Sequence, residues 1–244
     1  MSLFSGIGGV DIAAEMTGFR TVAFVEINPY CQRVLNLRWP STPIFGDIHH
    51  VNGSWFPGVC LISGGFPCQD ISLLEGDFTA RKCLQGSRSS LWKEMIRIVN
   101  ESKPKYVLVE NVAVLRRRGL DTILRDLAES GYDAEWGTVS ASAVGAYHQR
   151  NRLFIVAHHQ SLGIQRVWPE RFEVPRSLAS ALTLDGMGDR QWKVEPDVRR
   201  VPNGVPARVD RLKCLGNAVV PQQVYPILAT IATIERGEQA SRNG

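Results

Sequence analysis

The sequence predicts an α/β fold: a doubly wound, mostly parallel β-sheet with a small irregular subdomain. Two features of the chain predict it. Over residues 1–157, short apolar runs alternate with segments of helical apolar spacing, an order typical of parallel strands with helices on both faces of the sheet. From residue 158 to about residue 205 the periodicity stops, and Trp168 and Trp192 stand among prolines. Residues 206–244 return to a helical pattern, which predicts a segment that rejoins the first domain.

Each element has its own local signal. The predicted strands cover residues 2–5, 21–25, 59–63, 106–109 and 153–157. The predicted helices cover residues 10–17, 29–37, 89–101, 121–130 and 222–234. Gly18 and Gly131 follow the first and fourth helices, where a left-handed glycine ends a helix. Asn28 before Pro29 is the pattern of an N-cap and a first helical position, and it marks the start of the second helix.

Composition limits the class of protein. The chain has 244 residues, 44% hydrophobic and 21% charged, which fits one globular domain with or without an appendage and excludes a disordered or fibrous protein. No run approaches the roughly 18–20 apolar residues that span a bilayer, and residues 1–4 do not resemble the start of a signal peptide. Five widely spaced cysteines without a C-x-x-C pattern argue against a disulfide framework or a zinc site and for a reducing compartment.

Positive charge is unevenly placed along the chain. The formal net charge is +4, and residues 158–213 hold eight arginines and two lysines against seven acidic residues. A positive region suggests a polyanionic partner. A solvated basic face is the alternative, and charge alone leaves both open.

The first turn, residues 4–9 (Phe-Ser-Gly-Ile-Gly-Gly), indicates a nucleoside ligand. Glycines after a first strand let a ligand approach the backbone at the start of a helix. Glu26 ends the second strand, where folds of this kind place an acid on ribose hydroxyls. The spacing differs from G-x-G-x-x-G, which disfavours a dinucleotide. Asp47 follows a third apolar run and is equally well explained as an adenine contact or as a turn aspartate.

Two further strand ends carry side chains with catalytic chemistry. Cys68, in the sequence Gly-Gly-Phe-Pro-Cys-Gln, stands past the end of the strand at 59–63, and Glu110 ends the strand at 106–109. Parallel strands of an open sheet place ligand sites at their carboxyl ends, so a shared cleft is expected. A buried structural cysteine and an ion-paired glutamate are the alternatives. The remaining cysteines are interpreted as buried structural residues: Cys31, Cys60, Cys83 and Cys214.

Taken in order, these motifs resemble those of the cytosine-5 DNA methyltransferase family. Residues 4–9 resemble its first motif, residues 67–69 (Pro-Cys-Gln) its nucleophile motif and residues 110–112 its E-N-V motif. Residues 148–152 (His-Gln-Arg-Asn-Arg) are similar to Q-x-R-x-R, and residues 215–221 to the final G-N-x-V-x-P. Five motifs in the family's order are specific, and they span nearly the whole chain.

The resemblance implies a Rossmann-like fold that uses S-adenosylmethionine, and a covalent mechanism. A cytosine is flipped out of duplex DNA, Cys68 attacks its carbon 6 as a thiolate, and Glu110 bonds the ring nitrogen and the amino group. Arg152, with Arg150, holds the cytosine carbonyl, and their alternation on a strand predicts one shared face. Carbon 5 takes the methyl group, S-adenosylhomocysteine is the product, and no metal takes part.

The resemblance also carries over the binding positions. Cofactor contacts are expected at Phe4, Gly6, Gly8, Gly9, Glu26, Ile27, Asp47, Ile48, Pro67, Leu91, Asn217 and Val219. Residues 69–90 resemble the mobile loop that closes over DNA. Contacts to DNA, mostly to phosphates, are expected in this loop and in the irregular region, at Arg81, Lys82, Arg88, Arg166, Arg171, Arg176, Arg190, Arg199 and Arg200.

The implied organisation is a catalytic and cofactor-binding domain at 1–157, a small target-recognition region at 158–205 and a segment returning to the catalytic domain at 206–244. The recognition region is much shorter than most family members need and resembles the reduced versions in phage-like and prophage-like members. Three positions depart from the family pattern: Ser2 stands where Asp is usual, Tyr147 where Pro is common and His148 where Gln is usual.

Two other functions stand beside sequence-specific DNA methylation. The first is the same chemistry on transfer RNA, but that branch of the family carries a Cys-Phe-Thr tripeptide that this sequence lacks. The second is a catalytically silent DNA-binding module, against which the intact Cys68, Glu110 and Arg152 argue. We expect a cytoplasmic, bacterial or phage-encoded monomer that acts on double-stranded DNA at a site of about 2–5 base pairs. Its expected setting is a restriction-modification system, and a cognate restriction endonuclease is left open as a partner.

Overall fold

The computed structural model describes residues 1–67, 90–146, 148–175 and 208–243. The strands are β1 (Ser2–Leu3), β2 (Phe24–Val25), β3 (Ile44–Phe45), β4 (Leu61–Gly64), β5 (Tyr106–Val112), β6 (Tyr132–Val139) and β7 (Arg152–His159). The helices are α1 (Gly9–Met16), α2 (Pro29–Arg38), α3 (Ser90–Ser102), α4 (Leu115–Arg118), α5 (Leu120–Glu129), α6 (Arg208–Asn217) and α7 (Pro221–Asn243). Short 3-10 turns occupy Ile48–His50, Gly53–Trp55, Ser142–Val144 and Gln160–Leu162.

The seven strands form one mixed sheet in the order β3-β2-β1-β4-β5-β7-β6. Strands β1 to β5 are parallel, and β7 lies antiparallel between β5 and β6. The N-terminal end of β7 therefore lies at the same sheet edge as the carboxyl ends of β1 to β5. Val112 at the end of β5 is paired with Arg152 at the start of β7.

The core has two large parts, one on each face of the sheet. Alternate residues of β5 point to opposite faces, so Val107 and Val109 enter one cluster and Tyr106 and Leu108 the other. The first cluster is covered by α3 and α5 and the second by α1 and α7. The predicted doubly wound, mostly parallel fold is confirmed.

Local signals of the sequence correspond to the observed elements. Asn28 caps α2 by accepting hydrogen bonds from the backbone N–H groups of Tyr30 and Cys31 at 2.8 and 3.4 Å. Gly18 and Gly131 have φ values of 95° and 87°, which confirms the two left-handed helix ends.

The sequence pattern does not predict β6, α4 or α6. Strand β6 lies at the sheet edge and carries Asp133, Glu135 and Gly137, residue types that are depleted in strands. Pairing with β7 along its whole length forms this strand in spite of that composition.

Part of the predicted recognition region packs on this edge strand. Val167 is buried, and the Trp168 ring lies over Gly137 of β6. The Glu135 carboxylate accepts hydrogen bonds from the backbone N–H groups of Val167 and Trp168, the latter at 3.0 Å. Residues 167 and 168 are therefore fixed against the sheet, while residues 176–207 lie outside the described residues.

The final helix returns the chain to the first domain. Val224, Ile227 and Leu228 of α7 are fully buried in the cluster that contains Ala13 and Ala14 of α1. Among the helices described, none is long and apolar enough to cross a membrane.

Replacing Gly137 by Ala is expected to lower the free energy of unfolding by about 1–3 kcal/mol, because an added Cβ would collide with the Trp168 ring. Chemical denaturation measures the change. Gly237→Ala in α7 is the matched control: its added Cβ meets open space, and alanine in a helix is expected to gain about 0.5–1 kcal/mol. Equal effects of the two substitutions would show that Trp168 does not dock on β6.

Candidate active site at the carboxyl edge of the sheet

A cavity of about 540 Å³ lies at the carboxyl ends of the central strands. Most of the predicted site residues line it, namely Phe4, Gly6, Gly9, Glu26, Ile27, Asp47, Ile48, Pro67, Leu91, Glu110, Arg152, Asn217 and Val219. Gly8 and Arg150 do not. A second, more open depression of about 690 Å³ between α2 and β3 contains none of the predicted residues. The predicted catalytic and binding residues are therefore concentrated in the first cavity.

The first turn is tight, and each of its three glycines is required for a different structural reason. Gly6 has a φ of 55° and donates its N–H to Glu26 at 2.7 Å. Gly8 has a φ of 82° and lies against the Trp39 ring, away from the cavity. A side chain at this position would collide with that ring, so packing requires a glycine here. A Cβ on Gly9 would collide with the carbonyl oxygen of Val219. The last motif of the chain thus lies directly on the first turn.

Glu26 is held by the backbone around it. Its two carboxylate oxygens accept hydrogen bonds from the N–H groups of Gly6 at 2.7 Å and Asn28 at 2.8 Å. A carboxylate offers about four lone-pair positions, so acceptor capacity remains for a ligand. The adjacent Ile27 side chain lines the cavity and is 72% exposed, unusual for a large aliphatic residue.

Asp47 caps the short turn that follows β3. It accepts hydrogen bonds from the His49 backbone N–H at 3.0 Å and from the His49 ring at 2.7 Å, and these bonds hold the pKa of Asp47 below its ordinary value. Asp47 is therefore a turn aspartate that also lines the cavity. The turn-aspartate interpretation is confirmed, and the adenine contact stays a prediction.

Arg97 on α3 supports this turn, and sequence reasoning missed it. Its guanidinium donates to the carbonyl oxygens of Ile48 and Val51, both at 3.0 Å. Glu94 and Glu101 on the same helix pair with it at 2.7 and 2.8 Å. The sequence did contain a signal for the two ion pairs, because acidic residues stand three positions before and four positions after this arginine. Nothing in the sequence indicates that the guanidinium also bonds the two carbonyl oxygens.

Glu110 and Arg152 form a buried ion pair in the cavity wall. Glu110 Oε1 lies 2.9 Å from Arg152 Nε, and the two side chains are 11% and 14% exposed. Burial raises the pKa of Glu110 from its ordinary 4.5 to about 7, although the positive charges of Arg152 and Arg150 act to lower it. A Cβ on Gly65 would lie 2.7 Å from Glu110 Oε2, so the glycine makes room for the carboxylate.

Arg150 occupies a different place from the one expected. It precedes β7 and has a φ of 29°, so the prediction that Arg150 and Arg152 share one face of a strand is wrong. The backbone turns before the strand begins, and the Arg150 guanidinium donates to the carbonyl oxygens of Gly216, at 2.7 Å, and Ala218. Gln223 donates to the Arg150 carbonyl oxygen at 2.9 Å. Arg150 therefore braces the last motif.

Asn111 links the Glu110 strand to the segment before Cys68. Its side-chain amide donates to the Phe66 carbonyl oxygen at 3.1 Å and accepts from the Val112 N–H at 2.8 Å. Pro67, the next residue, lines the cavity, and Cys68 follows it in the sequence but lies outside the described residues.

Two cysteines meet in the cavity wall. Cys31 and Cys214 are 4% and 5% exposed, which confirms that they are buried, and their sulfur atoms are 2.8 Å apart. Burial raises the pKa of the Cys31 thiol, with the Cys214 contact acting in the same direction. Sequence reasoning treated them separately, because 183 positions separate them.

Of the predicted DNA-contacting residues, Arg166 and Arg171 are described and exposed, and Arg171 lies 3.6 Å from Glu173. The others lie outside the described residues: Arg81, Lys82, Arg88, Arg176, Arg190, Arg199 and Arg200. Within the described ranges, no group of three or more His, Cys, Asp or Glu side chains is placed to hold a metal ion.

The sequence is similar to those of known proteins. Residues 1–201 match the model of the family described as C-5 cytosine-specific DNA methylase. The chain is 36% identical over 160 residues to the type II methyltransferase M.CviJI of Paramecium bursaria Chlorella virus IL3A, covering 64% of this chain and 42% of that protein. It is 29% identical over 228 residues to M.AquIA of a Picosynechococcus strain, covering 84% and 90%. The chain thus spans about two fifths of M.CviJI but most of M.AquIA.

Among solved structures, the fold is similar to that of a candidate DNA modification methyltransferase encoded within a prophage (E. coli). The two share 26% sequence identity with a TM-score of 0.57, over 68% of this chain and 47% of the other.

We expect Glu110 to titrate near pH 7 in the free protein, because burial disfavours its carboxylate more than the arginines favour it. Carbon-13 NMR of glutamate-labelled protein measures the midpoint, and Glu110→Gln identifies the resonance by removing it. Arg152→Gln takes away the nearest positive charge and is expected to move the midpoint further up. A midpoint near the ordinary 4.5 would contradict the burial of this carboxyl group.

Proposed function

Because the chain belongs to the C-5 cytosine-specific DNA methylase family, we propose that it is a DNA (cytosine-5-)-methyltransferase that uses S-adenosylmethionine. The observation that carries the proposal is one cavity that holds both Glu26 and the Glu110–Arg152 pair. Side chains suited to a nucleoside and side chains suited to a flat polar ring then line the same cavity. Pro67, the residue before Cys68, lines the same space.

The first half of the cavity fits S-adenosylmethionine. The whole cavity has a volume of about 540 Å³, which lies in the range typical of small-molecule sites. Glu26 offers the remaining lone pairs to the ribose hydroxyls, Ile27 offers an exposed apolar surface to the adenine, and Asp47 with Ile48 lies where the adenine edge is expected. The remaining proposed contacts are Phe4, Gly6, Gly9, Pro67, Leu91, Asn217 and Val219. Bound there, S-adenosylmethionine supplies an electrophilic methyl group.

The second half fits a cytosine ring. Near pH 7 a substantial fraction of Glu110 is protonated, so one oxygen can donate a hydrogen bond to ring nitrogen 3 while the other accepts from the amino group. The proton at nitrogen 3 stabilises the charge that enters the ring when a thiolate adds to carbon 6. Glu110 thereby activates the ring for attack by Cys68.

Arg152 positions this carboxyl group and has donors to spare. Its Nε bonds Glu110, and one terminal nitrogen donates to the Asn151 carbonyl oxygen at 3.1 Å. A guanidinium carries five N–H donors, and we assign those that remain to the cytosine carbonyl oxygen. Arg150 contributes positive charge and holds the last motif.

Cys68 is proposed as the nucleophile, since it follows Pro67 and the segment before it is held by Asn111. Its thiolate adds to carbon 6, which makes carbon 5 the nucleophile that takes the methyl group. A base then removes the carbon-5 proton, and the bond between carbon 6 and the cysteine breaks. The ring is inaccessible in stacked DNA, so the base must be flipped out. The closing loop at 69–90 and recognition by residues 158–205 belong to this proposal.

DNA that carries 5-fluorocytosine at the target is expected to form a denaturation-resistant adduct with the protein, because fluorine cannot leave as a proton does. Cys68→Ser is expected to abolish both the adduct and methylation while calorimetry shows cofactor binding near normal. Cys60→Ser is the matched control and is expected to keep the adduct. An adduct that persists in Cys68→Ser would exclude this residue as the nucleophile.

Glu26→Ala is expected to weaken S-adenosylmethionine binding by tenfold or more, since a charge-assisted hydrogen bond is worth about 1.5–3 kcal/mol. Isothermal titration calorimetry measures the dissociation constant, and thermal unfolding without ligand measures the loss of the Gly6 and Asn28 bonds separately. Glu173→Ala, which removes an exposed carboxylate 3.6 Å from Arg171, is the control. Unchanged affinity in Glu26→Ala would remove Glu26 from the site.

A further inference from the structure

Two buried cysteines from distant parts of the chain meet in the wall of the cavity. Cys31 lies in the first turn of α2 and Cys214 in α6, and both line the cavity. Their sulfur atoms are 2.8 Å apart, whereas a disulfide bond is about 2.05 Å long. We propose that Cys31 and Cys214 are a redox modification site that forms a reversible disulfide across the cavity wall.

Both cysteines sit in segments that the surrounding structure holds in place. On one side, the Asn28 cap bonds the Cys31 N–H, and the Gln32 side chain donates to the Glu26 carbonyl oxygen at 2.6 Å. On the other side, Arg150 holds the carbonyl oxygens of residues 216 and 218, just beyond Cys214. Less than 1 Å of further approach brings the two sulfur atoms to bonding distance.

In the reduced protein, the two walls of the cavity touch without a covalent bond. The disulfide would join them covalently. One wall carries Glu26, and the other carries Asn217 and Val219. A disulfide that closes a loop of 183 positions strongly restricts the unfolded chain, so the oxidised protein is more stable than the reduced one.

Hydrogen peroxide is an oxidant of suitable chemistry. One of the two thiols first loses its proton, although burial, which raises the pKa of Cys31, disfavours the charged form of that residue. The thiolate attacks a peroxide oxygen, the O–O bond breaks, and a sulfenic acid and hydroxide form, the hydroxide taking up the released proton. The second thiol then attacks the sulfenic sulfur, the S–O bond breaks, and water leaves. Two thiols lose two electrons and two protons, the peroxide gains two electrons, and two waters result. A thiol reductant reverses the reaction.

The cavity is the route by which an oxidant reaches these sulfurs, because both residues are almost fully buried but line its wall. A ligand that fills the cavity is therefore expected to slow the reaction. This last point rests on the proposed function, since it uses S-adenosylhomocysteine as the ligand, whereas the disulfide itself does not.

Hydrogen peroxide treatment of the full chain, followed by thiol blocking and non-reducing peptide mapping, tests the proposal. We expect a peptide pair linked through Cys31 and Cys214, and a melting temperature about 5–15 °C higher that dithiothreitol reverses. The shift is expected to vanish in Cys31→Ser and Cys214→Ser. It is expected to persist in Cys60→Ser and in Cys68→Ser, which removes oxidation of the proposed nucleophile from the result.

Absence of the linked peptide pair in oxidised wild-type protein would overturn the proposal, even if the serine variants fold poorly. A temperature shift that survives in Cys31→Ser would overturn it too. Equal rates of linkage with and without bound S-adenosylhomocysteine would overturn the route through the cavity. Linkage in a protein that calorimetry shows not to bind S-adenosylhomocysteine would support the disulfide and contradict only the proposed function.

Discussion

The ion pair between Glu110 and Arg152 is the interaction on which the candidate site depends. Removing two charges from water is costly unless they are paired and bonded, and each partner here has a strand that fixes it. The antiparallel pairing of β7 with β5 sets Arg152 opposite Val112, two residues from Glu110 and on the same face of the sheet. A purely parallel sheet would place the start of the next strand at the opposite edge. The reversed strand is thus what brings the pair together.

Residues 208–243 form a wall of the cavity at the same edge of the sheet. The first turn and the last motif touch where Gly9 meets Val219, and Arg150 and Gln223 connect that motif to the start of β7. Packing of α7 on α1 keeps this arrangement in place. The cavity therefore has walls from both ends of the sequence, and its shape depends on the return of residues 208–243 to the first domain.

Helix caps and motif residues could be predicted from the sequence because their signals are local, whereas strand bounds could not: the strand predicted at 106–109 runs to Val112. Asn28-Pro29, Gly18 and the acid that ends β2 each depend on a few neighbouring residues. The tertiary partners could not be predicted in this way. Arg97 reaches carbonyl groups nearly fifty positions away, and the backbone turn at Arg150 separates two arginines that the pattern places on one face. Strand β6 has a composition that disfavours it and forms because β7 supplies a partner.

In this site, one side chain can stabilise the fold and also be available to a ligand. Glu26 ties the first turn to α2 through two backbone N–H groups and still has lone pairs for a ligand. Asp47 caps a turn and lines the cavity with the same side chain. Removal of either carboxylate is expected to change the shape of the cavity as well as its contacts, because the backbone bonds that the carboxylate accepts are lost. Ligand affinity and stability without ligand must therefore be measured together, because only the difference between them isolates the bonds that the ligand makes.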